Sequence, residues 1–147
     1  MGKKDLIGVL NEVFIANGFN KKGNYWVLNE AQLAKMINLQ KSQYGNQYYI
    51  NYGYIIKTIP LNGMMHIYNR VTSLNSDERS RILFLLDLDS NIGDVDRSQG
   101  LKDILIQALV KKMESINTED DLLNDLKKRQ QLNDISLDVK RYFNLNI

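Results

Sequence analysis

The sequence predicts an α+β fold: an N-terminal helix, an antiparallel sheet of about four strands, and C-terminal helices packed on one sheet face. Two observations carry this. Residues 25–71 alternate polar and apolar side chains between short turns, whereas residues 76–147 return to apolar spacings of three and four. At 147 residues the chain makes a single α+β domain (1–147), long enough to bury roughly 70% of the surface its unfolded form exposes.

From Lys3 to Ala16, Leu6, Ile7, Val9, Leu10, Val13 and Phe14 fall on one helical stripe. Asn17-Gly18 ends it. Gly18 suits the left-handed conformation after the last turn, and Phe19 can fold back onto that turn. Asn20 to Asn24 reads as a tight basic turn. Tyr25 to Leu28 is a short aromatic, β-branched strand. Leu33 to Ser42 is read as the next, with Leu33, Lys35, Ile37, Leu39 and Lys41 on one pleat face; a helix placing Leu33, Met36, Ile37 and Gln40 together is the competing reading. A Gly45-Asn46 turn leads into Tyr48 to Lys57. There Tyr48, Ile50, Tyr52, Tyr54 and Ile56 form the expected core face, opposite Tyr49, Asn51, Gly53 and Ile55. Pro60 and Asn62-Gly63 make the next turn, and Met64 to Val71 supplies a fourth strand.

The second half is helical. Ser76-Asp77-Glu78 starts a helix continued by Ile82, Leu83, Leu85 and Leu86, although residues 82–88 would also serve as a buried strand. Asp87 to Ser98 is an acidic loop. Gln99 to Ile116 forms a long helix with Leu101, Ile104, Leu105, Ala108, Lys112 and Ile116 on one face. Thr118 caps a shorter helix running through Leu122, Leu123 and Leu126 to Gln130. The last helix runs from Leu132 or Asn133 to Phe143.

Composition narrows the chemistry. With no cysteine, disulfides, thiolate metal sites and thiol nucleophiles are excluded; with His66 the one histidine, no two-histidine site can form within a chain. The N-terminus starts basic and turns amphipathic without the unbroken apolar run of a secretory signal, and Leu6 stands where myristoylation wants Ser or Thr. No run reaches the ~20 apolar residues of a membrane span. A cytoplasmic location and no membrane partner are expected. Formal charge is +2, but residues 1–75 carry eight Lys/Arg and three Asp/Glu while residues 76–147 carry eleven and fourteen. The sheet half is therefore basic and the helical half acidic.

The loop Asp87-Leu-Asp89-Ser-Asn91-Ile-Gly93-Asp94-Val-Asp96 spaces oxygens as calcium loops do, but Ile92 and Ser98 stand where such a loop needs Gly and Glu. A polar loop ahead of a helix is the expectation, with no metal and no cofactor. Five tyrosines lie between Tyr44 and Tyr54, near Lys22, Lys35, Lys41 and Lys57, which are ingredients of a single-strand nucleic-acid sheet. Pleat alternation assigns Tyr48, Tyr52 and Tyr54 to the core and leaves Tyr44 and Tyr49 exposed. Weak net charge and the missing ribonucleoprotein aromatic motif disfavour nucleic acid. Ser42 and His66 have no local setting of a hydrolase triad, and His66 between Met65 and Ile67 reads as a structural histidine. No enzyme is expected. The candidate binding surface is Gln40, Lys41, Ser42, Gln43, Tyr44 and Tyr49, at or near the hairpin tip; Asn46 and Gln47 either read a partner's backbone or simply solvate the turn.

The order Gly18-Phe19, Lys21-Lys22-Gly23-Asn24, Tyr25-Trp26, Ile37-Asn38-Leu39-Gln40-Lys41-Ser42 and Tyr49-Ile50-Asn51-Tyr52-Gly53 resembles the bacterial family named domain of unknown function 4304. The likeness continues through His66, Tyr68 and Arg70 into the C-terminal helices, although no tryptophan follows the arginine. The resemblance implies a small cytoplasmic bacterial protein with an α+β fold and no assigned activity. The expected function is a non-catalytic protein-binding domain with an unknown protein partner, immunity to a toxin being one such role; the alternative is a sheet that binds single-stranded nucleic acid. Nothing in the sequence fixes an oligomeric state.

Overall fold

The stripe on α1 (Lys3–Ala16) buries Leu6, Val9, Leu10, Val13 and Phe14 in a computed structural model that describes residues 1–145. The helix ends as its sequence directs: Gly18 takes a φ of 94°, Phe19 N–H donates to Phe14 O at 3.0 Å, and the two rings lie 6.1 Å apart.

Five antiparallel strands follow, one more than the alternation predicts: β1 (Asn20–Lys22), β2 (Tyr25–Asn29), β3 (Leu33–Lys41), β4 (Tyr48–Ile56) and β5 (Ile67–Arg70), side by side in chain order. The added strand is β1. Residues Asn20 to Lys22, expected in a basic turn, pair with Tyr25 to Val27, because Gly23 at a φ of 61° and Asn24 suffice to reverse the chain. Residues 33–41 are strand rather than helix. β5 is shorter than the expected 64–71: Tyr54 pairs with Ile67, and His66 N–H already donates to Tyr54 O, so the chain bulges as it enters the strand.

Pairing fixes the faces. Trp26 stands opposite Ile37, Ile37 opposite Tyr52, Leu39 opposite Ile50 and Tyr54 opposite Ile67. These side chains join Leu10, Phe14, Leu101, Leu105, Leu109, Leu122, Leu126 and Val139 in one hydrophobic cluster, so α1 and the C-terminal helices cover the same sheet face. Burying each large side chain contributes about 1.5–3 kcal/mol. Trp26 packs edge-on to Phe14 and its indole N–H donates to Asn11 Oδ1 at 2.8 Å.

The segment open to two readings, residues 82–88, is helical to Leu85 in α2 (Ser76–Leu85), whose first turn is capped by the Asn75 side chain. The acidic loop is shorter than its sequence suggests, because α3 (Asp94–Ile104) takes over its last residues. α3 continues without a break through a π-helical stretch, Leu105–Val110, into α4 (Lys111–Glu114). The wider turn rotates everything after it. Leu105, Leu109, Val110, Met113 and Ile116 are buried, whereas Lys112, which regular α spacing places on the buried face, is exposed. α5 (Glu119–Lys127) starts with the expected Thr118 cap, made reciprocal by Asp121. It stops short of Gln130. α6 (Leu137–Tyr142) is shorter than the predicted helix from 132 or 133 because Ser136 caps its start, while Leu132 and Ile135 pack from the preceding loop. Among the described residues no helix is long and apolar enough to cross a membrane.

α2 is closed by Arg97, in the first turn of α3 and 2% exposed. Its guanidinium donates to the carbonyls of Leu85 and Asp87, both at 2.8 Å, and to Ser90 O and Oγ at 3.0 Å. A cation thus sits on the negative end of the helix dipole.

Candidate functional site

Among the described residues the sheet face turned away from the helices carries no helix of its own. Val27, Met36 and Ile55 lie on it, half-buried and outside the hydrophobic cluster. The strand register composes its rows. One runs Lys22, Tyr25, Asn38, Asn51, Arg70; beside it run Val27, Met36, Gly53, Tyr68. The strand residues of this face include two cations and no acid.

The polar row is wired together. Asn51, fully buried beneath its neighbours, donates from Nδ2 to Asn38 Oδ1 at 3.0 Å and Gln40 Oε1 at 2.9 Å. Its Oδ1 accepts from Arg70 Nε at 3.1 Å, while Arg70 Nη2 donates to Gln40 Oε1 at 3.0 Å. The guanidinium lies 4.2 Å from the Tyr49 ring centre. Every protein acceptor on Arg70 is a neutral amide oxygen, and among the described residues no carboxylate pairs with it. The arrangement fixes a cation in place and leaves its charge available to an anion.

The predicted surface residues divide around this network. Gln40 and Tyr49 are paired across β3 and β4 and belong to it. Lys41, opposite Tyr48, stands on the helix-facing side and is exposed at the strand end. Ser42 accepts the Tyr44 N–H on Oγ at 3.2 Å, and Gln43 and Tyr44 project from the tip, Tyr44 being 94% exposed. Asn46 and Gln47 are bonded within the chain: Asn46 Nδ2 donates to Asp89 Oδ1 at 2.8 Å and Gln47 Nε2 to Leu83 O at 3.0 Å, with Tyr48 N–H on Leu86 O. Alternation correctly separates the buried Tyr48, Tyr52 and Tyr54 from exposed Tyr44 and half-buried Tyr49.

The sequence pattern of DUF4304, a domain of unknown function, matches residues 10–142. The chain belongs to this family. No curated protein and no solved structure matches it.

Elsewhere in this DUF4304 domain, polar side chains serve the fold. His66 Nδ1 accepts the Ile56 N–H at 2.8 Å, so its proton sits on Nε2, 2.9 Å from Pro60 O. Ser42 and His66 stand beside opposite ends of β4. Among the described residues no three His, Asp or Glu side chains form a metal-holding group. Lys35, grouped by sequence with the lysines near the tyrosines, is instead 3% exposed on the helix-facing side, with Nζ 2.6 Å from Asn117 Oδ1 and 3.7 Å from the Glu30 carboxylate. Burial holds its pKa below the ordinary lysine value, with Glu30 opposing. Burial likewise raises the Tyr54 phenol, whose hydroxyl has no hydrogen-bond partner among the described residues. Backbone N–H donation from Asn117, with further help from Thr118, lowers the Asp121 pKa. Arg70, Asn51 and Asn38 were the residues of this network that sequence reasoning left outside the candidate surface. Asn51 falls on the same pleat face as Tyr49, but only the β4–β5 register brings Arg70 to it.

Proposed function

We propose that this DUF4304 domain is a non-catalytic protein-binding domain whose working surface is the uncovered sheet face and the adjoining hairpin tip. The observation that carries the reading is Arg70, a cation positioned by Gln40, Asn51 and Tyr49 and, among the described residues, without a carboxylate partner. Tyr68 lies beside it on β5, and Tyr25 and Met36 stand on the same face across the sheet, residue types that protein interfaces favour, with no acid among the strand residues of the face. An acidic side chain of the partner is the complement of Arg70. A bacterial cytoplasmic setting is part of the same proposal. Toxin immunity is one form such binding takes, and a toxin-like gene beside this one is the observation that singles it out.

Co-purification from the native host with wild-type and Arg70→Glu protein tests the proposal. A stoichiometric protein held by the wild type and released by the variant, with melting unchanged, supports it. Bound nucleic acid instead favours the single-strand alternative, and a partner retained by Arg70→Glu removes Arg70 from the site.

A further inference from the structure

On the reading that the domain binds a protein, we infer that the partner enters as an extended acidic segment and adds to β5 as a sixth strand. Among the described residues β5 has a neighbouring strand on one side only. Val71 N–H donates to Ile50 O at 2.8 Å, and the two-residue rhythm of an antiparallel ladder then turns the N–H and C=O of Tyr68 and Arg70 away from β4. The opposite sheet edge is guarded, since β1 is three residues long and two of them are lysines. The β5 edge presents an exposed tyrosine, Tyr68, and opens onto a cleft of about 700 Å³.

That cleft decides the chemistry of the occupant. Lys112, Lys128 and Arg129 line it, against Asp125 and Asp134, and Asp134 is taken up by Arg129 at 3.5 Å. Successive side chains of an added strand would point alternately over Tyr68 and Arg70 on the open face and into the cleft beside the lysines. Both directions meet positive charge. An acidic segment matches both, whereas pairing β5 with β5 of a second copy would bring two cationic clefts together.

The test is an NMR titration of the labelled domain with a ten-residue peptide of threonine and glutamate in alternating pairs, which carries glutamates on both faces of a strand, with the matching threonine–lysine peptide as control, followed by amide exchange. Saturable shifts from the glutamate peptide alone, with exchange at Tyr68 and Arg70 slowed at least tenfold, support strand addition. Tyr68→Pro removes an outward N–H and is expected to abolish binding; should that variant unfold, Lys112→Glu with Lys128→Glu, on exposed sites, must weaken binding at least tenfold. No saturable shift, or equal shifts from both peptides, overturns the inference. A concentration-dependent dimer dissolved by Tyr68→Pro overturns it in favour of a second copy. Shifts confined to Asn38, Gln40 and Tyr49, with exchange at Tyr68 and Arg70 unchanged, overturn strand addition and leave the open-face reading standing.

Discussion

Replacing Gly53 by alanine tests the packing that presents Arg70. Gly53 lies in β4 opposite Tyr68, and its φ lies outside the left-handed region, so the backbone itself would accept any residue. Space does not. A Cβ built there would stand 1.7 Å from Ile67 O, 2.8 Å from Ile67 C and 2.5 Å from Met65 Sδ. The thioether can swing aside, but the carbonyl belongs to β5, so the strand must move away from β4. Overpacking of this kind costs about 1–3 kcal/mol and occasionally more; with backbone as the obstacle, a loss near the upper end, about 3 kcal/mol, is expected. At about 2–4 °C per kcal/mol for a chain of this size, the melting temperature should fall by about 10 °C. Urea unfolding followed by circular dichroism measures it. The same displacement should loosen the Arg70 bonds to Asn51 and Gln40, visible as faster exchange of the Arg70 Nε–H. A Gly53→Ala protein as stable as wild type, within about 0.5 kcal/mol, would refute the close approach of the two strands.

Two further perturbations probe the helical side. Arg97→Met keeps much of the apolar bulk but leaves Leu85 O without a donor and removes one of the donors to Asp87 O and Ser90 O; a loss of about 3 kcal/mol is expected in urea unfolding, with Arg97→Lys recovering only part, and a stable methionine variant would refute the capping role. Lys35 binds protons less readily folded than unfolded, so its contribution to stability rises with pH from its folded pKa toward the unfolded value of 10.5, and is least favourable below. Lys35→Met should be at least as stable as wild type at neutral pH and lose that alkaline rise in a series of melts at stepped pH, while the raised Tyr54 phenol opposes the rise above its unfolded value of 10.0 in both proteins.

Strands β3 and β4 were legible because each has a buried face, and a two-residue alternation cannot slip by one without turning Ile37, Ile50 and Ile56 into solvent. The α1 terminus was legible because Gly18-Phe19 is a local device. What escaped depends on partners distant in sequence. β1 is a strand because β2 pairs with it, not because Asn20, Lys21 and Lys22 resemble one. The π turn is hidden because Leu105, Ala108, Leu109 and Val110 supply apolar side chains to either choice of face. Arg97 lies inside the stretch that reads as an acidic loop; only the fold brings helix-end and loop acceptors around it. Of the candidate site, Gln40 and Tyr49 were named from the sequence, whereas Asn38, Asn51 and Arg70 each look like ordinary surface residues until three strands align them.

Arg97 also decides which parts of the molecule breathe together. α2 has ten residues, fewer than the ~12–15 that an isolated helix needs, and its last turn is held by a side chain from α3. The hairpin tip hangs from the same segment through Asn46, Gln47 and Tyr48. Release of Arg97 therefore frees the tip and the helix as one cooperative unit, at a free energy below that of global unfolding. A contact made on Tyr44 would therefore damp the opening of a helix it does not touch, and a mutation that weakens the Arg97 cap would leave the tip with more freedom to lose.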